Sequence, residues 1–337
     1  MRLKPYSSAR DEFKGRADVF LDANENSLGS PLEEDFSRYP DPHQSVLKTA
    51  LASLKGVSAA QIFTGNGSDE AIDLLLRVFC EPARDHILLL PPTYGMYSVQ
   101  AHIHGCGIRT APLRADFTPD AEAIFAATDA HTKILFLCSP NNPTGNSLDD
   151  ALLTEILNRF PGIVVVDEAY IDFSAHPSAI ALLERFPRLV VLQTLSKAWG
   201  LAALRIGMAF SNEFIIHLLN KVKYPYNISI ANIRSALEAL QHPEKMREKV
   251  AVILRERKRL ETKLPRMGCI REVFPSDANF LLVRTTGATA IYQKLSAQGI
   301  IVRNRTHEPN CAECLRITVG TPAENTALLD ALRKIDA

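Results

Sequence analysis

Gly162-Ile163-Val164-Val165-Val166-Asp167-Glu168 places four consecutive β-branched residues directly before two carboxylates. The run is too short for an amphipathic helix and does not alternate with polar residues, so it is expected to be a strand covered on both faces, as in a parallel sheet. Four other segments have the same character: HILLLPP at 86–92, KILFLCS at 133–139, LVVLQTLS at 189–196 and RIGMAFS at 205–211. Between them lie stretches with helical spacing. In 69–79, Ile72, Leu75, Leu76 and Phe79 share one face; in 151–160, Leu152, Leu153, Ile156 and Leu157 do so. Alternating strand and helix predicts an α/β layer fold with a mainly parallel sheet flanked by helices. After about residue 225 the pattern changes. Helices are expected over 228–241 and 244–264, strands over 278–284, 299–305 and 314–320, and a last helix over 322–335, which together make a smaller α+β region. The expected divisions are an amino-terminal arm at 1–30, a large α/β domain at 31–230 and a small α+β domain at 231–337.

The chain has 337 residues, 46% of them hydrophobic, enough to bury the cores of two domains. Its 38 Lys plus Arg balance 38 Asp plus Glu, so no net field draws it to nucleic acid or to an anionic membrane, and small-molecule partners are expected. The six cysteines, Cys80, Cys106, Cys138, Cys269, Cys311 and Cys314, form no disulfide framework, and thiols are expected. The opening MRLKPYSSARDEFKGR has no apolar core of a secretory signal, and no run approaches the roughly 18 apolar residues of a membrane span. A cytoplasmic enzyme is the expectation.

Thr194-Leu195-Ser196-Lys197 ends a buried strand at the edge where open α/β sheets place their ligand crevice. Partial desolvation there disfavours an ammonium and yields the free amine needed to attack an aldehyde carbon. Asp167 emerges at the same edge, where a buried carboxylate calls for a cationic partner such as a pyridinium nitrogen. Tyr170 follows three residues later. Ser139-Pro140-Asn141-Asn142-Pro143-Thr144-Gly145 makes a rigid turn after another strand, with Asn142 as a held hydrogen-bond donor. Thr64-Gly65-Asn66-Gly67-Ser68-Asp69-Glu70 leads from a strand into a helix and suits a phosphate, with Arg205 closing from the other side. Each element also has a plain structural alternative. Lys197 could be a surface lysine, Asp167 a helix cap, Asn142 an Asx-turn residue, Gly65 and Gly67 mere turn formers, and Arg205 an ordinary ion-pair partner.

Taken together, 139–145, Asp167-Glu168-Ala169-Tyr170, 194–197 and Arg205-Ile206-Gly207 resemble the fold type I, class II pyridoxal-phosphate-dependent aminotransferases along nearly the whole chain. Leu21-Asp22-Ala23-Asn24-Glu25-Asn26, Arg38-Tyr39-Pro40-Asp41-Pro42 and Cys314-Leu315-Arg316-Ile317-Thr318-Val319-Gly320-Thr321 narrow the resemblance to the histidinol-phosphate aminotransferase family. That resemblance implies a large domain with a seven-stranded sheet, pyridoxal 5'-phosphate as cofactor, and amino-group exchange between L-histidinol phosphate and 2-oxoglutarate in histidine biosynthesis. Lys197 would carry the cofactor and shuttle the proton, and Asp167 would pair with the ring nitrogen. Asn142 and Tyr170 would hold the ring oxygen, and Tyr94 would stack on the ring. Gly67, Ser68, Asp69, Ser196 and Arg205 would bind the phosphate, while Tyr39 would reach the phosphate of a neighbouring subunit in a homodimer with composite sites. Arg316 and Arg303 match the family's substrate anion clamp, although Arg305, two residues along the same strand face, could take the role of Arg303. Asn24 would contact the substrate.

The usual proline after Asn-Glu-Asn is replaced by Ser27, so this loop is expected to differ in shape. Cys311-x-x-Cys314 lacks the second pair of ligands a structural zinc needs, and no metal is expected. The cofactor residues are shared with aromatic amino-acid aminotransferases and with decarboxylases of the threonine-phosphate type, because the reaction depends on which bond to the α-carbon is held perpendicular to the ring. A dinucleotide-binding alternative lacks its third glycine at the required spacing and leaves Asp167, Lys197 and Arg205 unexplained.

Overall fold

The structure, a computed structural model, describes residues 18–336, so the part of the expected amino-terminal arm at 1–17 lies outside the described residues. Seven strands form the larger sheet: β1 (Ile62–Asn66), β2 (His86–Leu89), β3 (Gly107–Thr110), β4 (Thr132–Cys138), β5 (Ile163–Asp167), β6 (Leu189–Thr194) and β7 (Ile206–Phe210). Their order is β1-β7-β6-β5-β4-β2-β3. The unbroken apolar runs are explained by burial on both faces. Along β5, Val164 and Val166 pack into one hydrophobic cluster while Ile163 and Val165 pack into another, and β6 divides Leu189 and Val191 from Val190 and Leu192 in the same way. One face is covered by the helices Ser68–Phe79, Met96–Ile103 and Glu213–Val222, the other by Ser45–Lys55, Ala121–Ala126, Asp150–Arg159 and Ile230–Leu240. The helix starts carry the expected chemistry. Asp149 accepts from the N–H groups of Ala151 and Leu152, and Ser229 from that of Asn232.

The segment 205–211 is a strand, but it runs against its neighbours. β7 pairs antiparallel with both β6 and β1, whereas β2, β3, β4, β5 and β6 pair parallel. Its apolar run looked like the others because burial sets composition, while direction is set by the connection. Only a short turned link, with one 3-10 turn at Ala202–Leu204, joins β6 to β7, too little for a crossover.

The second sheet, of order β10-β11-β9-β8, is antiparallel and comprises β8 (Ile270–Val273), β9 (Phe280–Thr285), β10 (Arg303–Asn304) and β11 (Cys314–Thr318). Its apolar face packs with the helices Pro243–Lys263, Ala288–Ala297 and Pro322–Asp336 through residues such as Leu260, Leu281, Val283, Ile317 and Leu328. The strand expected over 299–305 is reduced to two residues. The chain reverses at Gly299 (φ 76°) as it leaves the helix Ala288–Ala297, and Ile301 is left 72% exposed. Cys311 and Cys314 are fully buried within a hydrophobic cluster. Among the described residues, no helix is long and apolar enough to cross a membrane.

Candidate active site

The carboxyl ends of β1, β4, β5 and β6 lie on one edge of the large sheet, and a cavity lined by Gly67, Asp69, Tyr94, Asn142, Asp167 and Lys197 opens there. β5 delivers Asp167, whose side chain is 2% exposed and which stands next to Cys138 at the end of β4. Tyr97 donates its hydroxyl to Asp167 Oδ2 at 2.6 Å, and the Ala169 N–H donates to Oδ1 at 3.1 Å. Burial pushes the carboxyl above its ordinary range and these two donors oppose the shift. Among the described residues no ion pair neutralises it, so the site holds a buried acid in want of a cation.

Lys197 follows β6 and reaches the same cavity, with Nζ 5.6 Å from the centroid of the Tyr170 ring. The residue as a whole is exposed at the mouth, yet its amine faces the pocket walls. Burial of that amine, and then the charge of Arg316, ease the loss of its proton; Asp167 and Asp69 oppose them. Tyr170 is buried and its phenol is held protonated well into the alkaline range by that burial. Tyr94 also lines the cavity, donates to Asp69 Oδ1 at 3.1 Å, and meets Tyr97 edge-on at 5.4 Å between centroids.

The cradle at one end is made by the first turn of the helix Ser68–Phe79. Gly67 takes φ 74°, a left-handed conformation that glycine adopts without strain, and its N–H donates to the Arg205 carbonyl at 2.7 Å. A Cβ on Gly67 would meet Arg205 Nη2 at 2.5 Å, so the missing side chain is what lets the guanidinium lie beside the helix start. Gly207 serves the same closeness: a Cβ there would collide with the backbone of Gly67 and Ser68. Arg205 Nη2 is 3.3 Å from Asp69 Oδ2, and Ser196 lines the same end, its hydroxyl accepting from Thr194 Oγ1 at 2.9 Å. Free helix-start N–H groups, a hydroxyl and a guanidinium make an anion site.

The turn 139–145 carries Asn142 into the cavity, and the neighbouring Asn141 holds the turn. Asn141 Nδ2 donates to the Pro92 carbonyl at 2.9 Å and to Thr144 Oγ1 at 2.7 Å. Arg316, from β11, donates through Nη1 to Asn142 Oδ1 and lies 5.3 Å above the Phe280 ring. Arg303 stands opposite Arg316 in the ladder but is exposed.

Two of the expected site residues are elsewhere. Asn24 (φ 54°) and Tyr39 line a separate groove with Glu25, Arg38, Ser229 and Ile230, and Tyr39 stacks on Tyr226 at 4.5 Å. Glu25 organises that groove, accepting from Arg38 Nη1 and from the Tyr39 N–H, both at 2.7 Å. Tyr97, Asn141 and Glu25 were not anticipated. Tyr97 lies three residues beyond Tyr94, at the start of the helix Met96–Ile103, but nothing local to it points at an acid 70 residues away.

The aminotransferase class I and II family profile matches residues 17–332. The histidinol-phosphate aminotransferase of Parabacteroides distasonis is 54% identical over 333 residues, covering 99% of this chain and 95% of that protein. That of Cytophaga hutchinsonii is 53% identical, covering 98% and 95%. The crystal structure of histidinol-phosphate aminotransferase from Sinorhizobium meliloti in complex with pyridoxal-5'-phosphate superposes with a TM-score of 0.83 at 27% identity, over 93% of this chain and 89% of that one. Fold and sequence agree along nearly the full length, and the chain belongs to the class I and II aminotransferases, among the histidinol-phosphate aminotransferases of that family.

Proposed function

We propose that the chain transfers the amino group of L-histidinol phosphate to 2-oxoglutarate, giving imidazole-acetol phosphate and L-glutamate in histidine biosynthesis, with pyridoxal 5'-phosphate as cofactor. The observation that carries this reading is the meeting of a lysine amine, a buried acid without an ion-pair partner among the described residues and an anion cradle on one cavity. It occurs in a chain 54% identical to a protein of that name. The residues fit the cofactor. Asp167 lacks an ion-pair partner that a protonated ring nitrogen would supply, and Gly67 lets the Arg205 guanidinium lie beside the helix start, where a phosphate would meet both.

When bound, pyridoxal phosphate supplies an aldehyde for the incoming amine and an electron-withdrawing ring. Lys197 would hold that group covalently and, with its amine free, would move the proton at the substrate's α-carbon. Asp167 would pair with the ring nitrogen, its carboxylate favouring the protonated ring. Asn142 and Tyr170 would hold the ring oxygen, and Tyr94 would contact the ring. Gly67, Ser68, Asp69, Ser196 and Arg205 would bind the phosphate. Arg316, with Arg303 beside it in the ladder, would attract the substrate's anionic group; Asn24, in its separate groove, is not brought to the Lys197 cavity of the same chain.

Tyr39 is half exposed and outside the Lys197 cavity, which supports a homodimer in which Tyr39 completes the phosphate site of the other copy. In that reading residues 31–230 carry the cofactor, 231–337 bring the substrate arginines, 1–30 form the arm, and the cytoplasm is the setting. Single-turnover mixing of the cofactor-loaded protein with L-histidinol phosphate, L-glutamate and L-phenylalanine tests it. Fast spectral change is expected with the first two; reaction with phenylalanine alone overturns the substrate assignment.

A further inference from the structure

The segment 64–70 leads into the anion cradle, yet Gly65 and Glu70 do not line the cavity. Glu70 is the third residue of the helix Ser68–Phe79, a position from which a glutamate ordinarily turns back to cap the helix start. Gly67 has no capping side chain and its own N–H is taken by the Arg205 carbonyl, so Glu70 reaches past it, and Oε2 accepts from the Asn66 N–H at 2.5 Å. The carboxylate then lies over β1. A Cβ on Gly65 would meet Glu70 Oε2 at 2.9 Å, so this glycine is the space into which the acid is folded.

Asn227 pins it there. Its Nδ2 donates to both Glu70 carboxylate oxygens and to the Thr64 carbonyl, each at 3.1 Å, while its Oδ1 accepts from Gln44 Nε2 at 3.1 Å and from Lys223 Nζ at 3.2 Å. Acceptors on one side and donors on the other fix which way the amide points. The Asn227 carbonyl also accepts from Asn66 Nδ2. The anchors behind the amide are buried. Gln44 is 1% exposed and Lys223 9%, and Lys223 Nζ also donates to the carbonyls of Pro42, Tyr224 and Pro225.

A Glu70 released from this clamp would matter to an anion. The cradle already contains one carboxylate, Asp69, which shares Arg205 Nη2 at 3.3 Å. The N–H groups of the first helical turn are the natural target of a nearby acid, and a second carboxylate swung onto them would compete for those donors and repel a phosphate. We propose that Asn227 is a positioning residue for the cofactor phosphate, one that keeps the helix start open to the anion by holding the Glu70 carboxylate back over Gly65. The inference rests on the cofactor reading given above.

The test compares binding of pyridoxal 5'-phosphate and of pyridoxal to the cofactor-free protein by equilibrium dialysis. Both ligands carry the aldehyde that Lys197 would meet, and they differ only in the phosphate. Asn227→Ala is expected to weaken binding of pyridoxal 5'-phosphate roughly 10-fold, near the low end of what a hydrogen bond to a charged group is worth, and that of pyridoxal by less than about threefold. Asn227→Asp keeps the oxygen that Gln44 and Lys223 hold but turns a second oxygen on Glu70. It should reproduce the selective loss, and it decides the matter should Asn227→Ala not fold. Glu70→Gln added to either variant removes the charge while leaving an acceptor for the Asn66 N–H, and should restore most of the loss. An unchanged preference for the phosphorylated ligand, a parallel weakening of both ligands, or a loss that Glu70→Gln does not restore overturns the role of Asn227, because a merely loosened fold would give the last two. Wild type that binds pyridoxal as tightly as pyridoxal 5'-phosphate overturns the phosphate cradle itself, which separates the two failures.

Discussion

Tyr97→Phe removes one oxygen atom and, with it, the 2.6 Å hydrogen bond to Asp167 Oδ2. The ring remains held, stacked on Phe136 at 4.6 Å and edge-on to Tyr94, so the change opens almost no cavity. Asp167 is already pushed upward by burial, and the Tyr97 hydroxyl is the first of the groups that pull it back. A hydrogen bond to a charged group contributes about 1.5–3 kcal/mol, and its loss raises the carboxyl's pKa further. If the ionised acid is what receives the protonated ring, binding of pyridoxal phosphate must weaken on the acid side, and the midpoint of that weakening must move to higher pH in the variant. Well above both midpoints the two proteins should bind alike. The single tryptophan, Trp199, lies two residues beyond Lys197 and is 9% exposed, so quenching of its fluorescence by pyridoxal phosphate in the cofactor-free protein reports binding across a pH series. An acid limb that stays in place, or moves to lower pH, refutes the assignment of Asp167 as the ring's counter-ion.

Lys197→Ala should abolish turnover while the protein still folds and takes up pyridoxal phosphate reversibly; covalent retention of the cofactor, seen by absorbance after dialysis, would contradict the role given to Lys197. Gly67→Ala places a side chain at φ 74° and against Arg205, so a loss of about 1–2 kcal/mol in stability and a weaker hold on the cofactor phosphate are expected by thermal melting with and without cofactor. Lys48, 7% exposed, has its pKa lowered by burial, then by Lys223, to about 8. The unfolded chain therefore binds the extra proton between about pH 8 and the ordinary lysine range, and stability from this group rises with pH there. Denaturant midpoints of wild type should gain on those of Lys48→Met as pH is raised through that window; parallel curves would sink the claim.

Burial and strand ends made the centre of the site legible. The apolar runs before Asp167 and Thr194 demanded two covered faces, and a polar residue closing such a run has only the sheet edge to occupy, so the crevice could be placed without coordinates. Direction was not legible. The segment 206–210 has the composition of a parallel strand, and only the shortness of the link behind it reverses β7. β8 was missed because Arg271 and Glu272 interrupt its apolar pattern, and the strand over 299–305 was overdrawn because Ile300 and Val302 pack against the small core without ladder partners while Ile301 is exposed. Tyr97, Asn141 and Glu25 act through partners distant in the chain or through backbone groups, and a single sequence carries no mark of either. Asn24 and Tyr39 sit apart from the Lys197 cavity, a separation that only spatial arrangement reveals.

The reversed strand has a mechanical consequence. Because β7 runs opposite to β6, its first residue stands at the same rim as the last residue of β6, and the short connection ties Lys197 and Arg205 to one hairpin. The proposed point of covalent attachment and the proposed counter-charge of the phosphate are thus two jaws of a single caliper. Their gap is set by the ladder between β6 and β7, while the start of the helix Ser68–Phe79, packed against Gly207, fixes the third side of the grip.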